Sequence, residues 1–165
     1  TDQPGADFAM VRSLAAACGA TLTEAVTHTG WAATLVCQRA EPRPVLVIDD
    51  HPDTIDLLKR YLAGTRYRLV ATTEPRRGLD LALELQPYVI LLDVMMPDAD
   101  GWEVLTRMKQ LAATASIPIW VCTVLDQSEL ALALGANGFL RKPVMRQELL
   151  AVLESCSAPL APAPR

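Results

Sequence analysis

An excess of basic charge is missing from this chain: Lys and Arg number 15 against 19 Asp and Glu, a formal net charge of −4. Without a basic footprint nothing tracks a phosphate backbone, so direct nucleic-acid binding is not expected. Cysteine is sparse and scattered. Cys18, Cys37, Cys122 and Cys156 form no C-x-x-C pair and no cluster with histidine, which excludes the usual signatures of a zinc site or a disulfide framework and leaves ordinary buried thiols. Long apolar runs are lacking too. Stretches such as Tyr88 to Leu92 and Ile117 to Leu125 fall far short of the roughly 20 residues a bilayer requires, and no basic segment followed by an apolar one opens the chain. No membrane association and a cytoplasmic location are therefore the expectation.

What is present is ample core material. With 165 residues, 51% of them apolar, and a mean hydropathy of +0.21, one main core plus a modest extra element is expected. The chain starts at Thr1, and Ser157 to Arg165 alternates Ala and Pro like a linker, which suggests a piece of something longer.

From Val45 onward, short apolar runs alternate with amphipathic stretches for five rounds. Val45 to Asp49 predicts a buried strand, followed by a helix from Pro52 with Ile55, Leu58 and Leu62 on one face. Arg68 to Thr72 is a second strand, and Glu74 to Leu85 a helix burying Leu79, Ala82, Leu83 and Leu85. A third strand, Tyr88 to Asp93, is apolar until its last residue. Beyond a Met-Pro-Asp-Ala-Asp-Gly loop come a helix with Val104, Leu105, Met108 and Leu111, a strand from Pro118 to Thr123, and a short helix from Asp126 to Leu134 closed by Gly135. Phe139 to Arg141 and Val144 to Glu154 supply the last strand and helix. Strands without polar alternation must be covered on both faces, so the expected fold is α/β, a doubly wound five-stranded parallel sheet.

In such sheets, chemistry gathers at the carboxyl ends of the strands. There the chain places Asp49 and Asp50, Asp93, Thr123, and Lys142 ahead of Pro143. Taken singly, each has an ordinary structural explanation; Asp50, for example, could cap the helix that begins at Pro52. Jointly they put three carboxylates, a hydroxyl and an ammonium around one cleft. Carboxylates so crowded repel one another, and a hard divalent cation such as Mg2+ relieves that.

The motifs VLVIDD (45–50), LLDVMMPDADGWEVL (91–105), VCT (121–123) and GANGFLRKPV (135–144) resemble those of receiver domains of two-component response regulators. The resemblance implies the flavodoxin-like strand order 2-1-3-4-5. It implies that Asp93 accepts a phosphoryl group from a phosphohistidine on a histidine kinase or phosphotransfer protein. Asp50, Asp93 and the backbone carbonyl of Met95 would bind Mg2+, and Asp49 would act through a metal-bound water. Thr123 would hydrogen-bond the phosphoryl group, Lys142 would pair with its charge, a cis peptide would precede Pro143, and Phe139 would be the switch aromatic. On this reading the protein is no enzyme beyond its own phosphorylation and dephosphorylation. Alternatives are a pseudo-receiver that binds partners without phosphorylation, and a flavodoxin-like or aspartyl-nucleophile hydrolase. The hydrolase wants a second acid where Met95 stands, and a flavin binder would be yellow.

Three features depart from the family pattern. The segment from Thr123 to Gly135 is shorter than usual by roughly one helical turn, which puts the usual dimer face in question and leaves a homodimer open. Val124 is larger than the residue that commonly follows the switch threonine, and the apolar Met95 stands where a polar side chain could position water; slow autodephosphorylation is the expectation. His51 is expected in solvent at the start of its helix. Trp102, just past Gly101, is either a reporter of metal binding or a helix anchor.

Residues 1–40 read as a helix, Ala6 to Cys18, with Phe8, Val11, Leu14 and Cys18 at helical spacing and Gly19 closing it. Strands at Thr21 to Val26 and Trp31 to Cys37 follow, joined by a turn at His28 to Gly30. This stretch resembles the last helix and hairpin of histidine-kinase ATP-binding domains, but Asp7 replaces a glycine and no phosphoacceptor-histidine box exists, so a packing or dimerising appendage is expected. The expected division is 1–40 appendage, 44–155 receiver, and 156–165 Ala/Pro linker or tail.

Overall fold

The computed structural model describes residues 7–17, 20–27, 30–36, 41–97, 99–124 and 127–156. The chain separates into two compact units, Thr1–Glu41 and Pro42–Arg165.

In the first unit, helix α1 (Asp7–Ala17) precedes an antiparallel hairpin of β1 (Thr21–Thr27) and β2 (Gly30–Val36), with Thr21 opposite Val36 and Thr27 opposite Gly30. On the helix, Val11 and Leu14 of the helically spaced set are exposed, as is Met10, while Ala15 is buried. A two-stranded hairpin offers one helix too little surface to cover a full stripe. Arg12 and Glu24 form an ion pair at 2.7 Å. Cys18, Gly19, His28, Thr29 and Cys37 lie outside the described residues.

The second unit holds a parallel sheet of β3 (Arg43–Ile48), β4 (Tyr67–Thr72), β5 (Val89–Asp93), β8 (Ile119–Thr123) and β9 (Gly138–Arg141), in the order β4-β3-β5-β8-β9. This is the 2-1-3-4-5 order. Between β5 and β8 the chain adds a small antiparallel pair, β6 (Met95–Met96) and β7 (Ala99–Asp100). Helices α2 (Pro52–Leu62), α3 (Pro75–Leu85), α4 (Gly101–Gln110), α5 (Ser128–Ala133) and α6 (Arg146–Ser155) complete the unit.

Alternation along the strands builds two cores. Leu46, Ile48, Ile90, Leu92, Ile119 and Val121 face one side with Ala82, Leu105, Met108 and Ala131 of α3, α4 and α5. Val45, Val47, Val89, Leu91, Cys122 and Leu140 face the other with Leu58 and Leu62 of α2 and Leu149, Val152 and Leu153 of α6. Each fully buried Leu or Ile contributes about 2 kcal/mol relative to exposure.

Three helix details differ from the sequence expectation. Leu83 is exposed, because α3 approaches β3 through Gly78 and Ala82; a Cβ on Gly78 would overlap the Ile48 side chain, and that close approach turns Leu83 outward. Leu111 is the exposed C-cap of α4 rather than part of its buried face. The last helix starts at Arg146 instead of Val144, since the Met145 N–H donates to Glu148 Oε2 at 3.3 Å while Val144 stays in the core. Helix α5 has six residues against ten or eleven in the other four helices of this unit, in line with the shortened segment. Among the described residues, no helix is long and apolar enough to cross a membrane.

Candidate functional site

Because the five strands run parallel and in register, their carboxyl ends share one edge. Ile48 pairs with Leu92, Asp93 with Cys122 and Thr123 with Arg141, so Asp49, Asp93, Thr123 and Lys142 leave the sheet side by side. Asp49 and Asp93 are each 2% exposed and Thr123 is 1% exposed, which is unusual burial for carboxylates and points to strong internal partners.

Lys142 is that partner. Its Nζ donates to Asp49 Oδ2 at 2.7 Å and Asp93 Oδ2 at 2.5 Å, and its backbone N–H donates to the Thr123 carbonyl at 2.9 Å. The peptide from Lys142 to Pro143 is cis, as the resemblance implied. The second oxygens of the two buried acids are met by backbone: Asp93 Oδ1 accepts from Met95 N–H at 2.8 Å, and Asp49 Oδ1 from His51 N–H at 3.0 Å.

Electrostatics follow from this packing. Desolvation dominates at Asp49 and holds its carboxyl above the ordinary range despite Lys142. Burial opposes the Lys142 ammonium, yet its hydrogen bonds and attraction to Asp49 and Asp93 outweigh burial and hold its pKa above the usual lysine value. Beside them, burial pushes the Cys122 thiol up to about 12, so it stays a neutral packing group.

Asp50 is half-buried and does not cap α2; the N-cap is His51, which makes no side-chain cap bond. Instead Asp50 Oδ1 lies 2.8 Å from His51 Nδ1. Its position in the sequence puts His51 in solvent at the start of α2. Its side chain is 65% exposed, yet the imidazole belongs to the acidic cluster: ligand atoms of Asp49, Asp50, His51 and Asp93 all lie within 4.8 Å of one another. The signal was in the residue order, since Pro52 restricts the residue before it to extended backbone, and His51 has φ −97° and ψ 107°.

Met95 begins β6, with its side chain exposed, and Val124 is exposed as well. Together with His51, Thr54, Asp93 and Lys142 they line an open cleft of about 400 Å3. Phe139 sits half-buried on β9 opposite Val121, packed on the α3, α4 and α5 side. Trp102 packs its side chain against the same core, as the anchor reading has it, while its backbone N–H donates to the Asp100 N-cap Oδ1 at 2.9 Å.

Gly101 has a role that its place in the 91–105 motif does not reveal. A Cβ there would overlap Val94 and stand 2.8 Å from the Asp93 carbonyl oxygen, so only glycine lets α4 seat against the bend that follows Asp93.

Three carboxylates facing one ammonium carry a net negative charge, and their hard oxygen donors fit Mg2+. The fit is thus a property of the donor set.

Comparison with known proteins agrees. The model of the response regulator receiver domain matches residues 45–154. The DNA-binding dual master transcriptional regulator RpaA of Synechocystis sp. is 36% identical over 110 residues, covering 65% of this chain and 46% of that protein. This chain therefore spans about half the length of that curated relative. A putative response regulator from Chloroflexus aurantiacus superposes with a TM-score of 0.65 at 25% identity, covering 70% of this chain and 97% of that one. The receiver domain of a sensor histidine kinase from Pseudomonas aeruginosa PAO1, solved with magnesium coordinated in its active site cleft, shares the fold at TM-score 0.62 and 24% identity, over 68% of this chain and 95% of that one. The family match starts at residue 45, so the resemblance of residues 1–40 to the tail of a histidine-kinase ATP-binding domain has no support in it. The strand order, the edge that gathers Asp49, Asp93, Thr123 and Lys142, and the matched motifs agree on one assignment: this chain belongs to the response regulator receiver domain family, in two-component signalling.

Proposed function

We propose that this receiver takes a phosphoryl group on Asp93 from a phosphohistidine of a histidine kinase or phosphotransfer protein. An Asp93 carboxylate oxygen attacks phosphorus, the phosphorus–nitrogen bond breaks, and the departing imidazole takes its proton from solvent. The observation that carries this reading is the Lys142 bridge, which sets a cation on Asp93 at the mouth of a cleft. Lys142 is thereby within reach of phosphoryl oxygens that arrive at Asp93, and the buried Thr123, whose carbonyl accepts from the Lys142 backbone N–H, leaves the neighbouring strand end. Mg2+ would be held by Asp50, Asp93 and the Met95 carbonyl, with Asp49 acting through water; when bound, it offsets phosphoryl-oxygen charge during in-line attack. New charge at Asp93 draws Thr123 inward, and Phe139 turns further into the core, which makes the α5–β9 surface the output. Residues 1–40 serve as a packing or dimerising appendage, 44–155 as the receiver and 156–165 as a linker.

Intact mass after treatment with acetyl phosphate tests the proposal. One added phosphoryl group is expected in the parent, absent without Mg2+ and absent in Asp93→Asn. No adduct under rapid quenching would favour the phosphorylation-independent interaction module instead.

A further inference from the structure

The carboxylate oxygens of the cluster are not equally engaged. Both oxygens of Asp49 and both of Asp93 meet a donor of the protein. Asp50 differs: Oδ1 faces His51 Nδ1 at 2.8 Å, while no donor among the described residues stands on its other oxygen. Its side chain is 22% exposed, and among the described residues its one side-chain hydrogen bond is the contact with His51.

The backbone of His51 is itself well fixed. Its backbone N–H is tied to Asp49 and Pro52 restrains its backbone to an extended conformation, and from there Nδ1 lies 2.8 Å from Asp50 Oδ1 and 3.6 Å from Asp49 Oδ1. A carboxylate accepts, so Nδ1 donates.

We propose that His51 is a positioning residue for the divalent cation: its Nδ1–H holds Asp50 Oδ1 and presents the other Asp50 oxygen to the ion. This rests on the assignment of Asp50 as a ligand made above. Carboxylate ligands held by a hydrogen-bond partner bind more tightly because their orientation is set beforehand, and loss of such a partner typically weakens metal affinity about 10–100-fold. The exposure of the imidazole places His51 at the lower end of that range.

The test is equilibrium binding at pH 8 to the full chain: Mn2+ followed by the electron paramagnetic resonance signal of the free ion, and Mg2+ by displacement of Mn2+. His51→Ala is expected to weaken both ions about tenfold, and His51→Asn, which keeps a donor at the position of Nδ1, to return affinity to within about threefold of the parent. His51→Ala removes no capping bond, since His51 makes none. Parent-like affinity in His51→Ala, or no rescue in His51→Asn, overturns the proposal. In a third arm, Zn2+ is measured by the same displacement of Mn2+; a loss in His51→Ala seen with Zn2+ but not with Mg2+ also overturns the proposal, and makes the imidazole a direct ligand. Failure of the underlying assignment looks different: the parent then binds neither ion at this site, or Asp50→Asn binds as the parent does.

Discussion

Gly101 bears directly on Asp93: a Cβ on the first residue of α4 would stand 2.8 Å from the carbonyl oxygen of the acid at the end of β5. The helix and the bend after Asp93 are thus packed backbone to backbone. Gly101→Ala has no flexible neighbour to push aside, so a loss of about 1–3 kcal/mol is expected by chemical denaturation, together with slower uptake of phosphoryl from acetyl phosphate. Gly138→Ala, where the obstacle is the Trp120 side chain, should lower stability while sparing the uptake rate.

Lys142→Met leaves Asp49 and Asp93 buried beside each other without their shared cation. Breaking such a pairing costs roughly 3 kcal/mol. Mg2+ can replace part of the lost charge, so the variant's thermal midpoint should rise more on adding Mg2+ than the parent's does. Equal shifts in the two proteins would contradict this.

Met95 and Val124 are exposed at the rim of the cleft over Asp93. Met95→Asn should place a water-orienting amide there and accelerate loss of the phosphoryl group roughly tenfold, equivalent to about 1.4 kcal/mol in the barrier. Val124→Ala should accelerate it by widening access. Decay of the phosphorylated mass with time measures both, and an unchanged rate in Met95→Asn would show that this side chain does not set the lifetime.

Cys122 gives a pH dependence with a definite sign. Burial raises its folded pKa from 9.0 to about 12, so between those values the folded state keeps a proton that the unfolded chain releases. Its stabilising contribution is complete below pH 9 and declines as pH rises toward 12. By pH 10 the loss is about 1 kcal/mol. Denaturation from neutral pH to pH 10 should show a shallower decline in Cys122→Ala than in the parent.

Much of this was legible in the sequence because it depended on order along the chain. Uninterrupted apolar strands ending in Asp49, Asp93 and Thr123 required a covered parallel sheet, and a parallel sheet puts those ends together. Features set by what lies opposite were not legible. Leu83 follows the helical spacing of its neighbours, yet Gly78 and Ala82 are what α3 presses onto β3. The contact of His51 with Asp50, and the need for glycine at position 101, likewise arise from a fit between segments whose approach only the folded chain defines.

The division of the interior by the sheet has a mechanical consequence. Phe139 and Leu140 are adjacent in sequence but belong to opposite compartments, one shared with α3, α4 and α5, the other with α2 and α6. The rotation proposed for Phe139 would thus repack the first compartment alone, while the second, where Leu149 and Leu153 are fully buried, would lie outside its path.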